Sequence, residues 1–212
     1  MQGMFLTLEG MEGCGKSTQA ARLGQRLGPD VIVTQEPGGT ALGRQIRQLL
    51  LDRRHSEMAP ATELLLYFAD RAQHVQEVIR PALAAGRSVV SDRYVDSSIA
   101  YQGYGRGLPL DLLDAVARLA TGGLRPDATF FLDVPIEAGL ARVNRRGAHD
   151  RLEAETLEFH ERVRDGYLEL IAQDPARWVR IDGTGSAEEV GERLLAAALS
   201  RGLLGAGFRG LR

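Results

Sequence analysis

Apolar residues along the chain fall into two alternating rhythms. Short, nearly uninterrupted apolar runs occur at residues 4–9, 31–34, 88–91, 129–132 and 178–181. Runs of this length, apolar throughout, predict strands covered on both faces. Between them, apolar positions recur at helical spacing and predict helices over 16–27, 41–51, 61–85, 110–120, 136–145, 155–173 and 187–199. Pro81 is expected to kink or break the third of these, because it lacks an N–H and crowds the preceding turn. Strand and helix alternating in this way argue for an α/β fold, a parallel five-stranded sheet flanked by helices on both faces. No repeat or linker interrupts the pattern, so residues 1–201 read as one domain. The charged, glycine-containing segment 144–153 is expected to form a short mobile lid between two helices, and 202–212 a flexible tail.

Composition narrows the function classes. A formal charge of −2 gives no general attraction to polyanions, so neither nucleic acid nor membrane is expected as a partner. The one cysteine, Cys14, excludes an internal disulfide and a cysteine metal site. The apolar run near the N-terminus is too short for a signal peptide, and no later run is long enough to span a bilayer; the chain reads as cytoplasmic. Of 26 basic residues, every one except Lys16 is arginine, which makes that position conspicuous.

Lys16 lies in Gly10-Met11-Glu12-Gly13-Cys14-Gly15-Lys16-Ser17, a G-x-x-x-x-G-K-[ST] phosphate loop (P-loop) between a predicted strand and a predicted helix. Glycines let the loop turn its N–H groups inward around phosphate, and the helix N-terminus adds a positive dipole. Lys16 would reach the β- and γ-phosphates of ATP, and the Ser17 hydroxyl would ligate Mg²⁺. Residues 10–18, Thr18 included, are the expected ATP-binding stretch. With no second lysine, no N-K-x-D guanine motif exists, which disfavours a GTP switch.

Further parts suit a second anion. Asp92-Arg93-Tyr94 ends a predicted strand, where open α/β sheets place their ligands. There Asp92 could hold Mg²⁺ through water and Arg93 could clamp a phosphate, though a structural ion pair would explain the triplet equally well. Ser97-Ser98-Ile99-Ala100-Tyr101-Gln102-Gly103 is a polar and aromatic stretch suited to a base and a sugar. It is accompanied by Tyr67-Phe68-Ala69-Asp70-Arg71 and by Glu36-Pro37-Gly38-Gly39-Thr40.

Taken in order, TLEG-x-x-G-x-GKST, EPGGT, FADR, DRY-x-x-SS-x-AYQG and DRLE resemble the motifs of bacterial thymidylate kinases, over roughly residues 4 to 184. The resemblance implies a P-loop nucleoside monophosphate kinase that moves the γ-phosphate of ATP to dTMP with Mg²⁺, and a homodimer formed through helical faces. It also implies roles for matching positions. Arg93, Arg71 and Arg47 would hold the acceptor nucleotide, with Glu36, Pro37 and Ser97 among the residues around it. Tyr67, where the family more often has phenylalanine, would stack on thymine, with Phe68 adjacent. Tyr101 would pack where a ribose 2′-hydroxyl would sit, and Ser98 and Gln102 would meet the base edge. Gln35 replaces the family's usual arginine before EPGGT.

The acceptor phosphate oxygen is already ionised at neutral pH, so no general base is needed. The difficulty is bringing two polyanions together, which cations relieve. Some family members place a basic residue at the fourth P-loop position, which is Gly13 here. Members lacking it carry arginines in the lid, as this chain does at Arg142, Arg145, Arg146 and Arg151. Arg146 is the first expectation for a transition-state cation and Arg151 the second. Glu12 is grouped with them, Lys16 and Arg93 as a catalytic candidate. The four histidines are scattered without ligand spacing, and Asp133 reads as structural. Two competing readings are a kinase for another nucleotide, dUMP for example, and a non-catalytic nucleotide-binding regulator.

Overall fold

The computed structural model describes residues 3–147 and 150–203. Five strands, β1 (Phe5–Glu9), β2 (Ile32–Gln35), β3 (Val89–Asp92), β4 (Ala128–Asp133) and β5 (Trp178–Asp182), form one parallel sheet in the order β2-β3-β1-β4-β5. Leu6 of β1 lies between Val90 of β3 and Ala128 of β4. The expected strands are all present. β1 and β3 are buried at every residue, whereas the edge strands β2 and β5 include exposed residues, since each has one open side.

Helices α1 (Lys16–Leu27), α2 (Ala41–Leu51), α3 (Pro60–His74), α6 (Leu110–Thr121), α7 (Ile136–Arg146), α8 (Leu157–Gln173) and α9 (Ala187–Ser200) match the expected periodic stretches. The break expected from Pro81 takes a specific form. After His74 the helix loosens into a π turn, Val75–Ile79, and resumes as α4 (Arg80–Ala84) with Pro81 in its first turn, where a missing N–H costs least. The periodic pattern predicts neither a short 3-10 turn, Arg53–His55, nor α5 (Val95–Ser98) and a second π turn (Ile99–Gly105), which carry the residues after Arg93 as wound chain.

The main apolar core joins Leu6, Leu8, Val90, Phe130 and Leu132 of the sheet to Leu23 of α1 and Leu194 of α9. A second cluster on the other face packs Phe131 and Trp178 against Phe159, Val163 and Tyr167 of α8 and Tyr101. The sheet is therefore sandwiched, and its C-terminal edge is left to the loops. The chain leaves β1 for one side of the sheet and returns to β4 on the other, so the crevice for a ligand lies beyond β1.

Candidate active site

Beyond the C-terminal ends of β1 and β3 lies a cavity of about 210 Å³. At one end is the loop that joins β1 to α1. Helix α2 has a capping threonine, Thr40, whose hydroxyl accepts from the N–H of Gly43 at 2.9 Å, but at α1 the cap position is Gly15, which offers no side-chain cap. Its first N–H groups thus stay available to an anion. Lys16 folds back over the loop and donates from Nζ to the carbonyls of Gly10 (3.0 Å) and Met11 (2.8 Å). Ser17 Oγ donates to Asp92 Oδ2 at 2.5 Å, which brings the two expected metal ligands together. Met11 and Cys14 are buried in the core beneath the loop, and Thr18 is exposed on α1.

Helix α7 rests directly on this loop. A Cβ on Gly13 would lie 2.2 Å from the carbonyl oxygen of Gly139, and one on Gly139 would lie 2.4 Å from that of Glu12. The fourth P-loop position therefore has no room for a side chain. From the next turn of α7, Arg142 Nη1 donates to the Gly13 carbonyl at 3.3 Å.

The other end of the cavity is built around Arg93, a non-glycine residue at φ +75°. That left-handed backbone is costly for an arginine, and strain of this kind gathers at functional sites. It aims the guanidinium at a ring of polar groups. Nη1 donates to Ser97 Oγ (2.9 Å) and Tyr167 OH (3.1 Å), Nη2 donates to Tyr101 OH (3.2 Å), and the Glu12 carboxylate is 3.5 Å away. Tyr101 OH in turn donates to Glu12 Oε1 at 2.5 Å. Burial would push Glu12 up, but the charges of Arg93 and Lys16 outweigh it and hold the carboxyl below its ordinary value.

Beneath this ring sits Glu9, fully buried at the end of β1. It accepts from the backbone N–H of Tyr94 (2.8 Å), Ser97 Oγ (2.5 Å) and Tyr167 OH (2.8 Å). Glu9 and Tyr167 were not anticipated. A carboxylate inside an otherwise apolar strand was the available signal for Glu9; Tyr167 is at core spacing in α8 and gives none.

The EPGGT segment forms one wall. Glu36 accepts from Arg71 Nε at 2.6 Å and pairs with His74 Nδ1 at 2.8 Å, while Asp70 Oδ1 accepts from the Gly38 N–H at 2.9 Å. Arg47 Nη1 donates to the Pro37 carbonyl at 2.8 Å. Glu36, Pro37, Arg47, Tyr67, Ser97, Ser98, Tyr101 and Gln102 all line the cavity, as do Glu12, Lys16, Ser17, Asp92 and Arg93.

Two expected acceptor residues do not line it. Phe68 packs with Leu64, Leu113 and Ala117 on another face of α3, which leaves Tyr67 as the ring at the cavity. Arg71 is buried beneath the wall, where Nη1 donates to Ser98 Oγ (3.0 Å) and Nη2 to the Tyr94 carbonyl (2.8 Å). Its route to the cavity in this structure is through Ser98.

The expected lid is only partly described. Arg146 is the last residue of α7, and its side chain, like His149, lies outside the described part of the structure. Arg151 and Leu152 are buried. Arg151 pairs with Glu63 of α3 at 2.5 Å and donates from Nε to the Leu50 carbonyl at 2.9 Å. Asp133 is held by Arg164 at 3.1 Å and Arg180 Nε at 2.7 Å, a structural ion cluster.

A strand–loop–helix phosphate cradle facing an arginine-centred pocket across one cavity defines a P-loop phosphotransferase of the nucleotide kinase type. The family model described as thymidylate kinase matches residues 8–194. The thymidylate kinase of Desulfosudis oleivorans is 52% identical over 204 residues, covering 92% of this chain and 95% of its own. That of a Synechococcus strain is 56% identical over 195 residues, with coverage of 90% and 92%. The crystal structure of thymidylate kinase from Ehrlichia chaffeensis superposes with a TM-score of 0.78 at 31% identity, covering 94% of this chain and all of the other. The chain belongs to the thymidylate kinase family, and is a nucleoside monophosphate kinase.

Proposed function

We propose that the chain transfers the γ-phosphate of ATP to dTMP, giving ADP and dTDP for dTTP synthesis, with Mg²⁺ as the cofactor. The observation that carries this is the two-ended cavity. Lys16 and the uncapped α1 stand at one end, and Arg93 with Tyr67, Ser98, Tyr101 and Gln102 at the other. ATP phosphates take the loop end. The dTMP phosphate takes Arg93, whose planar fork suits two phosphate oxygens. Arg47 adds positive charge on the same wall, Tyr67 offers its ring to the base, and Tyr101, locked to Glu12, fills the space a 2′-hydroxyl would need.

Ser17 Oγ and the Asp92 carboxylate are hard oxygen donors 2.5 Å apart. Such a pair fits Mg²⁺, which is bound through one or two side chains together with phosphates and water. When bound there, the ion would neutralise charge on the phosphates. Segment 144–153 is proposed as a lid and Arg146 as its transition-state cation. Arg151, engaged by Glu63, anchors the segment in this conformation.

Among the described residues no helix is long and apolar enough to cross a membrane, and the cytoplasm is the proposed compartment. A homodimer is proposed from exposed leucines on three neighbouring helices: Leu42 and Leu49 of α2, Leu65 of α3, and Leu112 and Leu119 of α6.

The reading is tested by coupled ADP release across dTMP, dUMP, dCMP, dGMP and thymidine, with and without a magnesium chelator. dTMP should have the highest kcat/KM, and dUMP a modest deficit, since one methyl group is worth only about 1–3 kcal/mol. A higher kcat/KM for dCMP or dGMP would mean that another nucleotide is the acceptor, and no turnover with any of them would mean a non-catalytic nucleotide binder.

A further inference from the structure

Glu63 lies in the first turn of α3, and its side chain is 1% exposed. Oε1 accepts from Gln102 Nε2 at 2.9 Å and from Arg106 Nε at 3.2 Å. Oε2 accepts from Arg106 Nη2 at 3.1 Å and faces Arg151 Nη1 at 2.5 Å. Burial alone would push this carboxyl up. The hydrogen bonds from Arg106 and Gln102 and the two arginine charges outweigh that and hold it below its ordinary value. Glu63 is therefore an ionised carboxylate, and an ionised carboxylate only accepts.

That settles which way the Gln102 amide faces. Its NH₂ must turn to Glu63, because its carbonyl would meet another acceptor there. No described residue donates to Gln102 Oε1, and Gln102 lines the cavity beside Ser98. The cavity thus receives from this side chain a hydrogen-bond acceptor.

We propose that Glu63 is a positioning residue that sets base selectivity, by locking the Gln102 amide with its carbonyl toward the acceptor base. A base bearing N–H at ring nitrogen 3, as thymine and uracil do, satisfies that carbonyl. Cytosine carries a lone pair at the same atom and sets two acceptors against each other. Arg106 and Arg151 keep Glu63 charged and in place, so an arginine of the proposed lid segment acts on the base through it. The proposal rests on a pyrimidine monophosphate being the acceptor.

The test compares kcat/KM for dTMP, dCMP and dUMP in the wild type, Glu63→Gln and Gln102→Leu, with a thermal melt of each. Losing the lock lets the amide turn over or removes it. Either substitution should lower the dTMP:dCMP ratio at least about tenfold. The dTMP:dUMP ratio, which depends on a methyl group remote from this amide, should move by less than about twofold. A merely structural role for Glu63 would lower all three substrates together. Gln102→Leu keeps both arginines paired with Glu63, so it carries the test even where Glu63→Gln does not fold. A wild-type dTMP:dCMP ratio in Gln102→Leu, or in a folded Glu63→Gln, overturns the proposal. If the wild type itself does not prefer dTMP to dCMP, the functional reading fails; if it does and both variants match it, only the role of Glu63 and Gln102 fails.

Discussion

Glu9 shows how a single side chain under the site reaches the behaviour of the whole fold. Its carboxyl is pushed up to about 7, first by burial and then by Asp96, against the opposing pull of Arg93 and two hydroxyls. A carboxyl whose folded pKa lies above its unfolded value of 4.5 binds its proton more tightly in the native state. The stability it contributes is complete below that unfolded value and is lost as pH rises through the folded one. Asp70, pushed up to about 6 by burial and then by Glu36, acts in the same direction. Thermal melts should therefore show a falling Tm as pH rises from about 5 to about 8. Glu9→Gln cannot ionise, and it should remove part of that slope, on the order of 3 kcal/mol at most. An unchanged slope in the variant would mean that Glu9 does not titrate there.

At the scale of elements, what matters is how α7 and the segment after it are fixed. Gly139 lets α7 touch the P-loop backbone. At an ordinary helical position Gly→Ala stabilises by about 1 kcal/mol. Here the added methyl group would lift α7, and with it Arg142, off the loop. Gly139→Ala should stay folded in a thermal melt yet lose at least about tenfold in kcat; full activity would show that the contact is dispensable. The two lid arginines should separate in the same assays. Arg146→Ala should lower kcat with ATP affinity little changed, the mark of an interaction made in the transition state. Arg151→Ala removes one of the two arginines paired with the buried Glu63 carboxylate, leaving Arg106, and should cost about 2 kcal/mol of stability. A kcat loss confined to Arg151→Ala would reverse the assignment.

These elements also show what the sequence makes legible. The P-loop was readable because its chemistry is carried by neighbouring residues in one strand–turn–helix unit, and the strands because short, nearly unbroken runs of apolar and β-branched residues alternate with helical periods. Residues 95–105 gave no helical signal, since polar and glycine positions interrupt the period and the winding is partly π. The roles of Phe68 and Arg71 depended on which face of α3 meets the cavity, and neighbours in a helix point different ways. Arg151 looked like a free lid cation because nothing near it in the chain announces Glu63.

For the whole molecule, the leucines on α2, α3 and α6 predict a dimer, Leu119 being 87% exposed. Sedimentation velocity should find two copies of the chain, and Leu65→Asp with Leu119→Asp should release monomers; a monomeric wild type would contradict the proposed assembly. The central claim is that one cavity divides its labour, ATP at Lys16 and dTMP at Arg93. Calorimetric titration of each ligand into Arg93→Ala, checked for folding by its melt, tests this most directly. The account predicts a dTMP Kd weakened about 100-fold, near 3 kcal/mol for charge-assisted hydrogen bonds to phosphate, with ATP changed less than about threefold. Equal losses for both ligands, or an unaltered dTMP affinity, would make Arg93 a structural ion-pair residue and contradict the division.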